Sequence, residues 1–454
     1  MTDPLDRLRQ PVEPLAPPAG TFDELLIRAR RRRTARTVVL AALAVVVLAV
    51  GGGLAVNVNP ILSGSLVGPP AGGGSVTPTP PAPSASTTTE GPTTVGTPSP
   101  YPSSAPVTVG PSAPAAVPGG PVPRGFLPYS FTSVGGGIDY LLGNAPCSTP
   151  PCTSIVGTTD GGRTWVGLPA PVAPLTPWQS PGAPGSTVRD LRFASPRDGW
   201  AYGGALYSTH DGSHTWRRVD PGGIVLDLAT DGTTTYAVVA TCSAQGYSCT
   251  NARLRSTPAT GDHWQDVPGV AGGTGGVISL TGRSGILLLD GPAGNAVYVR
   301  SGSSWQPVGA PSTCTTAISG MTASAAGSRL FALCGQGAAG SVTLDVDVSD
   351  DGGRGWQPQP GPGVQLPNGH ITVAAATPLV LLVAAGTPDR PGALVRSTDA
   401  GATWRNAAVP ALSNGWRYVG ATSATGLVAL PERPDGSIWT STDGGATWTS
   451  YRFR

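Results

Sequence analysis

The octapeptide STDGGATW occupies residues 441–448, and related octapeptides occur four times earlier in the chain. These are STDAGATW at 397–404, TTDGGRTW at 158–165, THDGSHTW at 209–216 and SDDGGRGW at 349–356. In this turn motif a strand ends at Ser or Thr, the aspartate can bond to the backbone two residues on, and glycine supplies a positive φ. The tryptophan then begins the returning strand as a large apolar wedge. The motif therefore predicts a β-hairpin turn with its own anchor.

The turn motif is defined by one aspartate and one tryptophan in each copy. These are Asp160 and Trp165, Asp211 and Trp216, Asp351 and Trp356, Asp399 and Trp404, and Asp443 and Trp448. Two eroded copies, TGDHW at 260–264 and SGSSW at 301–305, extend the series to seven. Successive tryptophans are then 51, 48, 41, 51, 48 and 44 residues apart.

A period in the forties, made of short strands, is typical of a β-propeller with four strands per blade. We therefore predict an all-β fold over residues 125–454, a seven-bladed β-propeller of four-stranded antiparallel blades. Because the chain stops six residues after Trp448, strand exchange between the first and last blades is not obvious. A short strand around Pro123–Leu127 is the candidate for closing the ring.

The N-terminal part divides into three segments of different composition. Residues 1–37 are polar and contain eight of the 28 arginines, whereas residues 38–58 are uncharged and long enough to cross a bilayer as one helix. Arginines before an uncharged span predict a cytoplasmic N-terminus and an uncleaved signal anchor; a cleaved signal peptide is the alternative. Residues 59–123 are rich in Pro, Ser and Thr and are predicted to form a disordered linker. The propeller is accordingly expected outside the cell, tethered to the cell membrane.

The charge balance argues against one class of partner for the outer part. The chain contains no lysine, so its 28 basic residues are all arginines, and twenty of them follow residue 37. They are balanced by 21 acidic residues, 26 in the chain less five before residue 38, which gives a net charge of −1. A nearly neutral surface does not favour a nucleic-acid partner.

Six cysteines occur in three close pairs, Cys147 and Cys152, Cys242 and Cys249, and Cys314 and Cys334. An even number in an exported domain predicts disulfides. Metal binding is the alternative, but the spacings are not those of zinc sites and no histidine lies near them.

The position of each pair within a blade predicts which face of the propeller it occupies. With strands A to D in a blade, the A–B and C–D turns lie on one face, which we call the turn face because the turn motifs are C–D turns. The B–C loops and D–A connections lie on the other, the loop face. The first two pairs fall in B–C loops, while Cys314 should open a strand A and Cys334 should end a strand B. All three are thus expected on the loop face, together with the long loop 170–186, where we predict the partner site.

A resemblance to known proteins rests on the second repeat. FASPRDGWAYG at 193–203, with LYST at 206–209, DG at 211–212 and TW at 215–216, resembles the repeat of the photosystem II stability/assembly factor family and its bacterial relatives. More broadly, residues 125–454 resemble the Asp-box, or bacterial neuraminidase repeat, β-propellers. The resemblance implies that the Asp boxes are structural turns remote from the ligand face, and a fold does not fix an activity.

A glycan hydrolase is the competing hypothesis, because sialidases and some glycanases share these repeats. The chain lacks the Arg-Ile-Pro element of sialidases, and its propeller contains one glutamate, Glu432. Glycosidases generally need two carboxylates across the scissile bond; nothing in the spacing of Asp139, Asp190, Asp227 and Asp290 singles out a pair. A loop-face pit lined by three arginines, or by two carboxylates within about 10 Å, would favour an enzyme.

We therefore expect a membrane-anchored, extracytoplasmic and non-catalytic scaffold that binds a protein or a cell-envelope glycan on its loop face. The alternative is a sialidase-like or other cell-wall glycan hydrolase. No catalytic residue, metal ion or cofactor is predicted.

Overall fold

The computed structural model describes residues 119–454 except 177–184, 244–248, 283, 292–293, 312–313, 315–317, 339 and 388–390. The predicted cytoplasmic segment, the membrane span at 38–58 and nearly all of the linker lie outside the described residues. In the described part of the chain, no helix has the length and apolar character needed to cross a membrane.

Seven antiparallel sheets follow one another along the chain, and each joins consecutive strands in sequence order. Blade one contains β1 (Leu127–Gly135), β2 (Ile138–Asn144), β3 (Thr153–Thr158) and β4 (Val166–Leu168). Blade two contains β5 (Asp190–Phe193), β6 (Gly199–Tyr202), β7 (Leu206–Thr209) and β8 (Arg217–Val219). Blade three contains β9 (Ile224–Thr230), β10 (Thr234–Cys242), β11 (Cys249–Pro258) and β12 (Gln265–Gly273). Blades four and five contain β13 (Gly275–Thr281), β14 (Ser284–Asp290), β15 (Ala296–Ser301), β16 (Ser304–Val308); and β17 (Ile318–Ala323), β18 (Leu330–Ala338), β19 (Ser341–Ser349), β20 (Gln357–Pro358), β21 (Val364–Pro367). Blades six and seven contain β22 (His370–Ala375), β23 (Leu381–Gly386), β24 (Ala393–Ser397), β25 (Arg405–Asn406); and β26 (Trp416–Ala421), β27 (Leu427–Pro431), β28 (Ser437–Ser441), β29 (Thr449–Arg452).

The predicted seven-bladed propeller of four-stranded blades is confirmed, with one addition. In blade five, β21 pairs with β19 as a fifth strand, so that Val342 lies opposite Leu366. The first strands of the seven blades, β1, β5, β9, β13, β17, β22 and β26, all contribute residues to the lining of one central cavity. They are the inner strands of the ring.

The turn motif folds around its aspartate, as the copy at 158–165 shows. Asp160 Oδ1 accepts hydrogen bonds from the backbone N–H groups of Arg163 and Thr164, both at 2.9 Å. Its Oδ2 accepts the Thr164 hydroxyl at 2.6 Å. The carboxylate thus bonds three and four residues ahead, rather than two as the sequence predicted, and it ties both ends of the turn together. The two glycines after Asp160 have φ values of 73° and 83°, a region that side chains other than glycine resist.

These hydrogen bonds favour the charged form of the carboxylate, so protonation at low pH weakens the turn. The Thr164 hydroxyl, followed by the Thr164 backbone, lowers the pKa of Asp160 to about 2. Burial opposes the shift at Asp211, but the Thr215 hydrogen bonds outweigh it and its pKa is also about 2.

We expect the stability contributed by these turns to be lost as the pH falls from about 4 to about 2. An aspartate with a pKa of about 3.9 in the unfolded chain and a lower one in the fold stabilises fully above the first value and loses its effect below the second. Thermal unfolding of the wild type and Asp160→Asn between pH 2 and 7 measures this. The variant should melt lower at pH 7, and the difference should vanish near pH 2; a constant difference would contradict the carboxylate's role.

Each of the seven motif tryptophans packs against the blade that precedes its own. Trp216 of blade two, for example, donates its indole N–H to the Pro169 carbonyl of blade one at 3.0 Å. Trp305 of blade four lies edge-on to Tyr236 of blade three, with 5.6 Å between ring centroids. The repeated tryptophan is therefore a wedge between blades.

The ring closes through side chains, so the predicted closing strand around Pro123–Leu127 is wrong. The chain ahead of β1 instead pairs with the outer edge of blade one, where Gly120 and Gly167 exchange two backbone hydrogen bonds of 2.9 Å. Phe126 is fully buried against Phe453 after β29, with ring centroids 5.1 Å apart. Trp165 of blade one joins them, 5.5 Å from the Phe453 ring.

The eroded copy in blade three uses its aspartate in a different way. Asp262 reaches across the seam to blade two, where it accepts the Ser208 hydroxyl at 2.7 Å and Arg217 Nη2 at 2.9 Å. His210 lies between two carboxylates, with Nδ1 2.9 Å from Asp198 and Nε2 3.3 Å from Asp262. A lost turn contact is thereby replaced by a polar contact between blades.

Candidate site at the loop-face mouth of the central cavity

Disulfides stiffen the loop face, and the three predicted bonds are present. Cys147–Cys152 closes the B–C loop of blade one, and Cys242–Cys249 joins the end of β10 to the start of β11. Cys314 was predicted to open a strand A, but it lies four residues ahead of β17, in the D–A connection. Cys334, however, does not end its strand, because β18 continues to Ala338 before the chain turns into β19.

The central cavity has a volume of about 1280 Å³. Each inner strand begins on the loop face, because the D–A connection precedes it, so the first residues of these strands surround the loop-face mouth. The charged and aromatic lining residues are concentrated there: Tyr129, Arg189, Asp190, Arg192, Tyr202, Asp227, Asp290, His370, Arg417 and Tyr418.

Four inner strands contain a β-bulge close to their start. In blades one, three, five and seven the pairing with the second strand skips one residue, and the skipped residues are Tyr129, Leu226, Ser319 and Arg417. All four line the cavity. Bulges redirect side chains and are frequent next to functional sites, so this rim has the construction of a binding site.

The wall formed by blades two and three holds a hydrogen-bonded polar cluster. Asp227 accepts the backbone N–H of Leu228 at 2.8 Å on Oδ1 and that of Ile278, in blade four, at 2.9 Å on Oδ2. The Tyr202 hydroxyl lies 3.4 Å from Asp227 Oδ1, and Arg192 Nε lies 3.4 Å from the Leu228 carbonyl oxygen. Asp227 therefore connects two blades through their backbones.

The protonation of this cluster is set mainly by burial. Burial raises the pKa of Tyr202 well above its usual value and also raises that of Tyr418. Both phenols are therefore neutral hydrogen-bond donors at physiological pH. Burial likewise raises the pKa of Asp227, although the Ile278 N–H and the Arg192 charge oppose the shift.

Two further arginines lie at the same mouth. Arg189 pairs with Asp190 at 3.1 Å, with about a quarter of its side chain and a third of its partner's exposed. Arg417 is only 8% exposed, and its guanidinium carbon lies 4.8 Å above the centre of the Tyr129 ring. Burial, and after it the Arg417 charge, lower the pKa of neighbouring His370 to about 4, so that this imidazole is neutral at pH 7.

Apolar side chains form much of the wall between blades four and six. Val277, Met321, Ile371 and Val373 line the cavity there. Val277 is 45% exposed, although it is a large apolar residue on an inner strand. The cavity thus presents a charged wall and an apolar wall to the same ligand.

The structure separates the sequence-predicted residues into two groups. Among the described lining residues of the cavity, there is no aspartate or tryptophan of the turn motif and no Asp139. Asp190, Asp227 and Asp290 do line it. The sequence analysis did not single out the arginines and tyrosines of the mouth. The signal that could have indicated them is the group of charged residues Arg189, Asp190 and Arg192 at the start of a strand.

Comparisons with known proteins were made for the family, the sequence and the fold. No family model matches the chain, and no curated protein matches its sequence. Among solved structures, YCF48 from Cyanidioschyzon merolae is 15% identical, with a TM-score of 0.46, covering 71% of this chain and 97% of that one. YCF48 bound to D1 peptide is 18% identical, with a TM-score of 0.43, covering 76% of this chain and all of that one. The GH74 enzyme of Niastella koreensis is 14% identical, with a TM-score of 0.28, covering 71% of this chain and 65% of that one. Because these identities and TM-scores are low, the likenesses say nothing about the function of this chain.

Proposed function

We propose that this protein is a non-catalytic binding scaffold whose loop-face mouth receives a segment of a protein partner. The observation that carries the proposal is the bulged, polar rim around the cavity, set on rigid inner strands and flanked by disulfide-closed loops. A site that is ordered before binding loses less entropy when a partner docks. The charged wall and the apolar wall together suit a peptide segment, which carries both kinds of group.

The contacts within the mouth favour binding over catalysis. Both carboxylate oxygens of Asp227 already accept backbone N–H groups, and Asp190 is paired with Arg189. A tyrosine nucleophile would need a lowered pKa, whereas burial raises the pKa of Tyr202 and Tyr418. These contacts leave no unengaged acid–base pair among Asp190, Asp227, Tyr202 and Tyr418.

Partner capture with site-specific cross-linkers tests the proposal. We expect a photo-reactive residue introduced at the exposed loop-face position Val172 to cross-link a host membrane-fraction protein, and one at Leu379 on the turn face to do so far less. Arg189→Glu should weaken capture about tenfold or more, because it places two acids side by side. Cys147→Ser/Cys152→Ser should also weaken it by freeing the blade-one loop.

The matched control is Arg163→Glu, an exposed arginine on the turn face. Its capture should equal that of the wild type. Equal labelling from both faces, or wild-type capture by Arg189→Glu, would place the partner surface elsewhere.

The proposal includes a location in the cell membrane, with the N-terminus in the cytoplasm and the propeller outside. It is supported by the uncharged stretch at 38–58, the arginines before it and the three disulfides, which form in oxidising compartments. Protease added to intact cells should digest the propeller, and replacing Arg30 to Arg33 with neutral residues should reduce that digestion. A propeller protected in intact wild-type cells would contradict this topology.

One observation favours glycan hydrolysis as a second candidate. Arg189, Arg192 and Arg417 line the mouth together with Asp190 and Asp227, and the raised pKa of Asp227 suits a general acid. Release of sugar from cell-wall glycan or a fluorogenic sialoside, abolished in Asp190→Asn, would establish an enzyme. We expect no release above that of heat-treated protein.

A further inference from the structure

Arg417 differs from the other two arginines of the mouth in the contacts that its charge makes. Arg189 has a carboxylate partner, and Arg192 lies among Tyr202, Tyr418 and Asp227. In the described part of the chain, Arg417 has no carboxylate within ion-pair distance, and its Nε is buried without a hydrogen-bond partner. The Tyr129 ring supports its charge from a distance of 4.8 Å.

An arrangement of this kind is costly unless something else compensates it. Burying a cation without a counter-ion is costly, and a cation–π contact offsets only part of that cost. The adjacent His370 is neutral at pH 7, so it adds no second positive charge beside Arg417. Among the described residues, the positive charge of Arg417 therefore has no ion-pair partner.

The geometry around Arg417 shows that the residue is placed there by the fold. It is the bulged residue of β26, and its aromatic support Tyr129 is the bulged residue of β1 in the neighbouring blade. The two bulges bring a guanidinium and a ring face together at the cavity lining. A guanidinium held by a ring on one face keeps its N–H edge available, and that edge matches the oxygens of a carboxylate or a phosphate.

We propose that Arg417 is the anchor of an oxyanion-binding subsite, which takes a carboxylate or phosphate group of the ligand that enters the cavity. The subsite rests on the proposed function, since it specifies which chemical group of the partner is bound at the mouth. The neighbouring Ile371 and Val373 wall accommodates the apolar part next to that group.

Thermal unfolding of the full-length chain in sodium acetate, sodium phosphate and sodium chloride at equal ionic strength tests the subsite. We expect acetate or phosphate to raise the melting temperature above its value in chloride, because an anion bound only by the folded state stabilises it. A larger shift with acetate identifies a carboxylate ligand, and a larger shift with phosphate identifies a phosphorylated one. Equal melting temperatures in all three salts would overturn the proposal.

Arg417→Gln should lose the anion-specific shift, with at least tenfold weaker anion binding by calorimetry. In chloride alone it should melt no lower than the wild type, because a buried charge without an ion-pair partner is removed. Arg417→Lys keeps the charge without the forked edge and should retain a reduced shift, which decides the matter if the Gln variant fails to fold. The control Arg197→Gln, exposed on the turn face, should behave as the wild type.

The outcomes also separate the subsite from the proposed function. A wild-type anion shift in Arg417→Gln would remove the subsite while partner capture could still succeed. Anion binding that depends on Arg417, without capture of any partner at the mouth, would retain the subsite and remove the scaffold function.

Discussion

Phe453→Ala is expected to lower the free energy of unfolding by about 3–5 kcal/mol, the range for deleting a large aromatic side chain from a packed core. Phe453 is 6% exposed and contacts Phe126 and Trp165 through edge-to-face ring pairs of 5.1 and 5.5 Å. In the described residues, no strand of blade one pairs with a strand of blade seven. Side-chain packing must therefore hold blades one and seven together. Losing the Phe453 side chain weakens this closure of the propeller.

The matched control is Arg454→Ala, the exposed neighbour of Phe453. A surface substitution of this kind should change the free energy of unfolding by no more than about 0.5 kcal/mol. Urea unfolding of both variants measures the difference, and hydrogen exchange should show that blades one and seven lose protection first. Equal stability of the two variants would mean that contacts other than the ring cluster close the propeller.

The blade number and strand order could be predicted because their signals are local and repeated. A turn motif needs only eight consecutive residues, and its tryptophan packs against the preceding blade in every copy. Even the eroded turn before Trp305 keeps its tryptophan at the spacing of one blade. The sequence therefore repeats the signal for a blade seven times.

The mouth and the closure could not be predicted because they depend on distant contacts. Nothing local indicates that Arg417 and Tyr129 are bulged and meet across a seam between blades. The fifth strand in blade five, Val364–Pro367, ends in proline and has no alternation long enough to predict pairing. Asp262 belongs to an eroded copy of the turn motif, but it makes its contacts with the previous blade. Each of these features is a relation between repeats, whereas the motif describes only one repeat.

Asp227→Ala is expected to cost about 3–5 kcal/mol, because several donors of a partly buried polar cluster lose their acceptor. The change leaves the Ile278 N–H without its 2.9 Å acceptor across the seam between blades three and four. It also removes a negative charge that favours the charged form of the half-buried Arg192. Each buried donor left without a partner costs about 1–3 kcal/mol by itself, so the losses together reach the expected range.

Asp290→Ala provides the comparison, because Asp290 lines the same cavity but is exposed. Its cost should stay within about 0.5 kcal/mol. Chemical unfolding of both variants, followed by Arg189-dependent partner capture under conditions where each is folded, separates stability from recognition. If Asp227→Ala folds as stably as Asp290→Ala, its carboxylate is not the bond between blades that the geometry indicates.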